Sequence, residues 1–111
     1  MPFEIENRLL EHPNIADVSV IGVTDERYGE VVGAFFKQQP GTNRPSVKEL
    51  ATFVQETLGR HKAVVHAFWL GDAGVGEELA KTGSGKHQKH LMRKLANDLL
   101  KGKNVEPRSK L

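Results

Sequence analysis

The run Lys81-Thr82-Gly83-Ser84-Gly85-Lys86 combines the residue types that meet a phosphate. Gly83 and Gly85 let the backbone approach a ligand closely and adopt φ > 0, Thr82 and Ser84 bring hydroxyls that hydrogen-bond oxygens, and Lys86 adds a compact positive charge. The run is not a Walker A loop. Ala80 stands where the leading glycine of that motif belongs, and His87 replaces the Ser/Thr that would hold magnesium. An amphipathic basic segment follows directly, so a helix over about 87–101 puts Lys86 at its N-terminus. That end of the macrodipole disfavours a cation unless a phosphate is near, which favours a functional lysine over a merely solvated one.

Other candidates are weaker. Arg60, His61 and Lys62 form a basic cluster suited to the phosphates of a ligand, although exposed helix ends often have this composition. The five histidines include no H-E-x-x-H pattern and the chain has no cysteine, so neither a thiolate metal site nor a nucleophilic thiol exists, and no metal is expected. Ser109-Lys110-Leu111 at the C-terminus matches the receptor-read address for the peroxisome and predicts a peroxisomal import receptor as partner.

The elements that must position Lys86 follow from periodicity. Ile5, Leu9 and Leu10 recur at helical spacing within residues 3–12, and Pro13 pushes His12 out of the α region to end the run. Residues 18–23 and 31–36 read as two antiparallel strands around the turn at Asp25 to Gly29. Both are apolar on both sides, which predicts a sheet covered by helices on its two faces. Ser46 and Glu49 make a capping box before the apolar positions Val47, Leu50, Ala51, Val54 and Leu58, and Gly59 ends that helix. His66 to Leu70 supplies a third strand. Gly71 to Gly85 contains five glycines and reads as a long exposed loop. Leu91, Leu95 and Leu99 share one face of the last helix, with Met92 and Ala96 beside them, a stripe suited to core packing. Residues 102–111 read as a flexible tail.

At 111 residues the chain is one domain, small for an enzyme that must bind several substrates unaided. Its formal charge of +2 conceals an asymmetry: residues 1–80 carry 7 Lys/Arg against 12 Asp/Glu, and residues 81–111 carry 9 against 2. The basic tail has no Phe, Trp or Tyr to stack on bases, which argues against nucleic acid. No apolar run approaches the ~20 residues of a membrane span, and the N-terminus has no signal-peptide pattern. The chain reads as soluble.

Taken in order, Pro2-x-Glu4-Ile5-Glu6, His12-Pro13, Val18 to Val23, Asp25-Glu26-Arg27-Tyr28-Gly29-Glu30 and Lys81 to Lys86 resemble the C-terminal domain of the adenylate-forming (AMP-binding) enzymes, most closely the acyl-CoA synthetases. The resemblance covers roughly residues 2–101. Ala80 departs from it where a proline is frequent, and the stretch before it is longer. The resemblance implies an α+β fold, a small three-stranded sheet with helices on both faces, in which residues 1–101 are the mobile C-terminal domain and 102–111 its tail. It also implies a hinge and a large N-terminal adenylation domain as partner, both outside this sequence.

In the reaction so implied, a carboxylate attacks the α-phosphate of ATP, and coenzyme A then displaces AMP from the acyl-adenylate to give a thioester. ATP, AMP and coenzyme A are substrates of the complete enzyme, magnesium accompanies ATP in the large domain, and no cofactor is expected in this chain alone. Lys86 is the lysine implied to reach the α-phosphate during adenylation, Thr82 to Gly85 form the loop around it, and Arg60, His61 and Lys62 are candidates for contacts to coenzyme A. The peroxisomal address places such acid activation in fatty acid metabolism. Alone, the chain is expected to be inactive. The competing readings are a stand-alone module that binds coenzyme A or nucleotide, and a protein-interaction module.

Overall fold

A run rich in β-branched residues, β1 (Ile15–Asp25), and one carrying Val31, Val32, Phe35 and Phe36, β2 (Gly29–Gln38), pair as an antiparallel hairpin. The computed structural model describes residues 2–60, 63–79, 81 and 86–109. The hairpin turn is built by Asp25, whose Oδ2 accepts from the backbone N–H groups of Arg27 at 3.0 Å and Tyr28 at 2.8 Å. Gly29 closes it at φ +80°, a value that L side chains rarely adopt. Asp25 to Gly29 thus serve as a turn, and Tyr28 is exposed.

Successive side chains of a strand point to opposite faces, and both faces of this sheet are apolar. Val18, Val20, Ala34 and Phe36 enter one core with Ile5 and Leu9 of α1 (Pro2–Leu10) and with Leu50 and Val54 of α2 (Val47–Leu58). Ile21, Val23 and Phe35 enter a second core with Met92 and Ala96 of α3 (Lys89–Ser109). Ile15 breaks the parity, since it joins the first core although Asp17, Ser19 and Ile21 alternate onto the other face. The cause is a bulge: the pairing steps from Ile15↔Gln38 to Asp17↔Lys37, leaving Ala16 as the extra residue.

After α2 the chain returns as β3 (Val64–Trp69), parallel to β2, so the strand order is β1-β2-β3 with β2 central. Register places Phe35 beside Phe68 and Phe36 beside Trp69, and these rings stack on opposite faces at centroid distances of 4.9 and 4.7 Å. The result is the expected α+β sheet with helices on both faces.

Helix ends follow local chemistry. Ser46 and Glu49 form the reciprocal capping box, and Gly59 ends α2 at φ 89° with its N–H bonded to the Gln55 carbonyl. α1 stops at Leu10, where the Glu11 and His12 N–H groups bond back three residues to Arg8 and Leu9. α3 differs from its expected span at both ends. It begins at Lys89 rather than 87, and its backbone stays helical through Ser109, past Gly102, a residue that costs a helix ~1 kcal/mol without prohibiting it. The expected exposed loop after β3 is partly packed, because Leu79 is buried and Val75 half-buried in the second core.

Candidate functional site

Lys86 is exposed and lies in a loop pinched at its base by an isolated antiparallel bridge between Lys81 and His87. The pinch is reinforced where Gln88 Nε2 donates to the Lys81 carbonyl at 3.1 Å. Gln88 also starts the helix, its carbonyl accepting from Leu91 N at 3.1 Å and Met92 N at 3.2 Å. Since α3 begins at Lys89, the cation at the first helical position is Lys89 rather than Lys86. Its charge is met by Glu6 of α1, and its Nζ also donates to the Val20 carbonyl at 2.7 Å.

On the other side of the pinch, Lys81 Nζ lies 3.1 Å from Asp17 Oδ2. Asp17 Oδ1 accepts from Val18 N at 2.8 Å, so both carboxylate oxygens are engaged. His87, half-buried between these pairs, is held below the ordinary imidazole range because burial disfavours its charged form. The carboxylates of Asp17 and Glu6 oppose that shift, and the ammonium groups of Lys89 and Lys81 add to it. The imidazole is therefore neutral at pH 7.

α3 lies along the free edge of β1 and covers it with side chains spaced four residues apart. Lys89 donates to the Val20 carbonyl, Arg93 Nε to the Gly22 carbonyl at 3.0 Å, and Asn97 Oδ1 accepts from Thr24 N at 3.1 Å. Four helical residues advance about 6 Å and two strand residues about 6.8 Å, so three successive rungs match. A groove of about 380 Å³ opens beside this seam, lined by Val20, Ile21, Gly22, Lys89, His90 and Arg93. Among the described residues no group of three His, Cys, Asp or Glu side chains is placed to hold a metal ion. Nor is any helix among them long and apolar enough to cross a membrane.

The sequence candidates are distributed unequally over this frame. Thr82, Gly83, Ser84 and Gly85 lie outside the described residues, as do His61 and Lys62 of the basic cluster and Lys110 and Leu111 of the terminal tripeptide. Arg60 is exposed just before β3, whose first residue pairs with Val32 towards the hairpin turn. Lys81 instead reaches Asp17, opposite Lys37 at the far end of the hairpin. Arg60 and the loop of Lys86 thus belong to opposite ends of the sheet. Sequence reasoning missed Asp17 altogether, and it quoted Glu6 and Lys81 without pairing them. The contacts join residues 64 and 83 positions apart, a separation at which periodicity carries no signal.

Comparison with known proteins agrees with the α+β fold. The model of the AMP-binding enzyme C-terminal domain matches residues 4–86, ending on Lys86 itself. The chain is 48% identical over 99 residues to the acyl-CoA ligase cnsG of Penicillium expansum, covering 89% of this chain and 21% of that protein. It is also 48% identical over 101 residues to the acyl-CoA ligase sidI of Beauveria bassiana, covering 90% of this chain and 18% of the relative. The crystal structure of the Brucella canis acyl-CoA synthetase superposes with a TM-score of 0.74 at 36% identity, over 84% of this chain and 16% of that one. The chain therefore spans about a fifth of the length of the curated relatives it matches. With the matched segment running from α1 through the lysine loop, the chain belongs to the family of AMP-binding enzyme C-terminal domains.

Proposed function

We propose that this chain is the C-terminal domain of an ATP-dependent acid–CoA ligase and that Lys86 serves its adenylation step. The observation that carries this reading is the placement of Lys86, exposed on a pinched loop at the end of the matched family segment. In the first half-reaction a carboxylate oxygen attacks the α-phosphorus of ATP and pyrophosphate leaves. An ammonium aimed at the crowded oxygens stabilises the charge that develops there. In the second, the thiol of coenzyme A attacks the acyl carbonyl and AMP leaves. The nucleotide pocket, its magnesium and the acyl pocket belong in this reading to the large domain, so the chain alone turns over no ATP.

The test uses the complete ligase. Lys86→Ala should lower adenylate formation at least ~100-fold, the scale on which loss of a preorganised electrostatic donor is felt, while thioester formation from supplied acyl-adenylate survives. Lys86→Arg should restore it only in part, because a planar fork does not replace a point charge. An unaffected first half-reaction would overturn the role of Lys86, and ATP turnover by the pure 111-residue chain would overturn the reading of an incomplete enzyme.

We further propose that Ser109-Lys110-Leu111 is read by a peroxisomal import receptor and directs this ligase to the peroxisome and the fatty-acid metabolism carried out there. A reporter joined to residues 102–111 should enter peroxisomes and become diffuse when Leu111 is removed. Diffuse signal from the intact fusion would refute the assignment.

A further inference from the structure

The loop carrying Lys86 has two feet, and each foot bears a lysine tied to a carboxylate from a distant element. At the helical foot, Lys89 meets Glu6 of α1, whose Oε2 also accepts from Val20 N at 2.7 Å. At the entering foot, Lys81 meets Asp17 of β1. The bulge at Ala16 makes the second tie compatible with the core. Without it Ile15 and Asp17 would share a face. With it Ile15 is buried against α1 and α2 while Asp17 falls on the face that packs against α3 and Leu79. Asp17 is itself held by the Val18 N–H, so it presents an oriented oxygen to Lys81.

We propose that Asp17 is a positioning residue for Lys86: its ion pair with Lys81 fixes the entering foot, keeps the Lys81↔His87 bridge closed and thereby narrows the directions in which Lys86 can point. The helical foot is anchored by α3 as well as by Glu6, whereas among the described residues the entering foot rests on buried Leu79, the Gln88 side chain on the Lys81 carbonyl and this pair. Holding a charged group near its working geometry lowers the entropic cost of reaching the transition state. The pair is half-exposed, with side-chain exposures of 42% for Lys81 and 29% for Asp17, so its effect is modest. The proposal rests on the adenylation role of Lys86.

In the complete ligase, Asp17→Asn should slow adenylate formation about fivefold, the change corresponding to ~1 kcal/mol, and leave thioester formation from supplied acyl-adenylate within about twofold. Lys81→Gln should do the same, and the double variant should be no worse than either single one. On a Lys86→Ala background, Asp17→Asn should have no further effect, because it acts only through Lys86. A readout free of activity is the backbone order parameter of Lys86 from 15N relaxation in the 111-residue chain, which should fall in Asp17→Asn and in Lys81→Gln. Lys81→Gln keeps the test alive should Asp17→Asn fail to fold. An unchanged order parameter at Lys86, equal losses in both half-reactions or a further loss on the Lys86→Ala background would each overturn the proposal. The two failures are distinguishable: a fully active Lys86→Ala enzyme removes the role of Lys86, whereas a slow Lys86→Ala enzyme with a normal Asp17→Asn enzyme removes only the clamp.

Discussion

Arg93 donates through Nε to the carbonyl of Gly22 at 3.0 Å, and the absence of a side chain at Gly22 lets the same guanidinium reach Glu30 Oε2 at 2.8 Å. The Glu30 carboxyl occupies the space that a Cβ at position 22 would take. One glycine thus joins the free edge of β1, the start of β2 and α3. An edge strand with unpaired backbone groups invites pairing with another chain, and here side chains of α3 occupy alternate groups along it.

Two of the hairpin glycines, Gly22 and Gly33, should respond differently to alanine. At Gly22 the obstacle is the end of a flexible, exposed glutamate, so Gly22→Ala displaces Glu30 and loses a surface ion pair, at a cost below ~1 kcal/mol. At Gly33 a Cβ would stand 2.6 Å from Val23 Cγ2 and 3.2 Å from Ile21 Cδ1, both in the second core. Gly33→Ala should cost ~1–3 kcal/mol as overpacking. Urea unfolding of the two variants decides the order, and equal losses would show that the core yields more than its packing implies.

Acid should weaken α2 through its capping box. Glu49 is held below the ordinary carboxylate range, first by the backbone N–H of Ser46 and then by the Ser46 side chain. A depressed folded value means that the contribution is complete above the unfolded carboxyl value of about 4.3 and is lost as pH falls through the folded value. Glu49→Gln, which keeps an acceptor for the Ser46 N–H but cannot ionise, should be less stable than the parent near neutrality, and the gap should close below about pH 4. Thermal melts of both proteins from pH 3 to 7 measure it, and a constant gap would mean that the pair is not formed in solution.

His87 should add a second acid sensitivity at higher pH. Its folded value is lowered, chiefly by burial, so the unfolded chain binds the proton more readily. Stability is then complete above the unfolded imidazole value of about 6.5 and declines as pH falls from there towards the folded value. In His87→Gln that part of the pH dependence should vanish while the carboxylate-driven loss below about pH 4 remains. NMR titration of the His87 ring checks the cause directly, and an apparent value above that of a free histidine would reverse the prediction.

Much of the scaffold was legible from residue order because its determinants are local. Alternation along 18–23 and 31–36, Ser46 with Glu49, Gly59 as a helix stop and Pro13 after His12 each act within a few residues, and each appears where expected. The residue types of the run 81–86, glycines, hydroxyls and a terminal lysine, were also readable as ones suited to a phosphate. The bulge at Ala16 was not, because a strand shows a one-residue excess only against the partner it pairs with. The onset of α3 at Lys89 was misplaced by two residues for a related reason. His87 is drawn into a bridge with Lys81, and this tertiary contact overrides its helical spacing. Sequence alone determined that Lys86 stands on a glycine loop before a basic helix. Only the tertiary structure decided that Asp17 and Glu6 hold the feet of that loop, because ion pairs between residues so far apart depend on the sheet and helices that carry the two charges together.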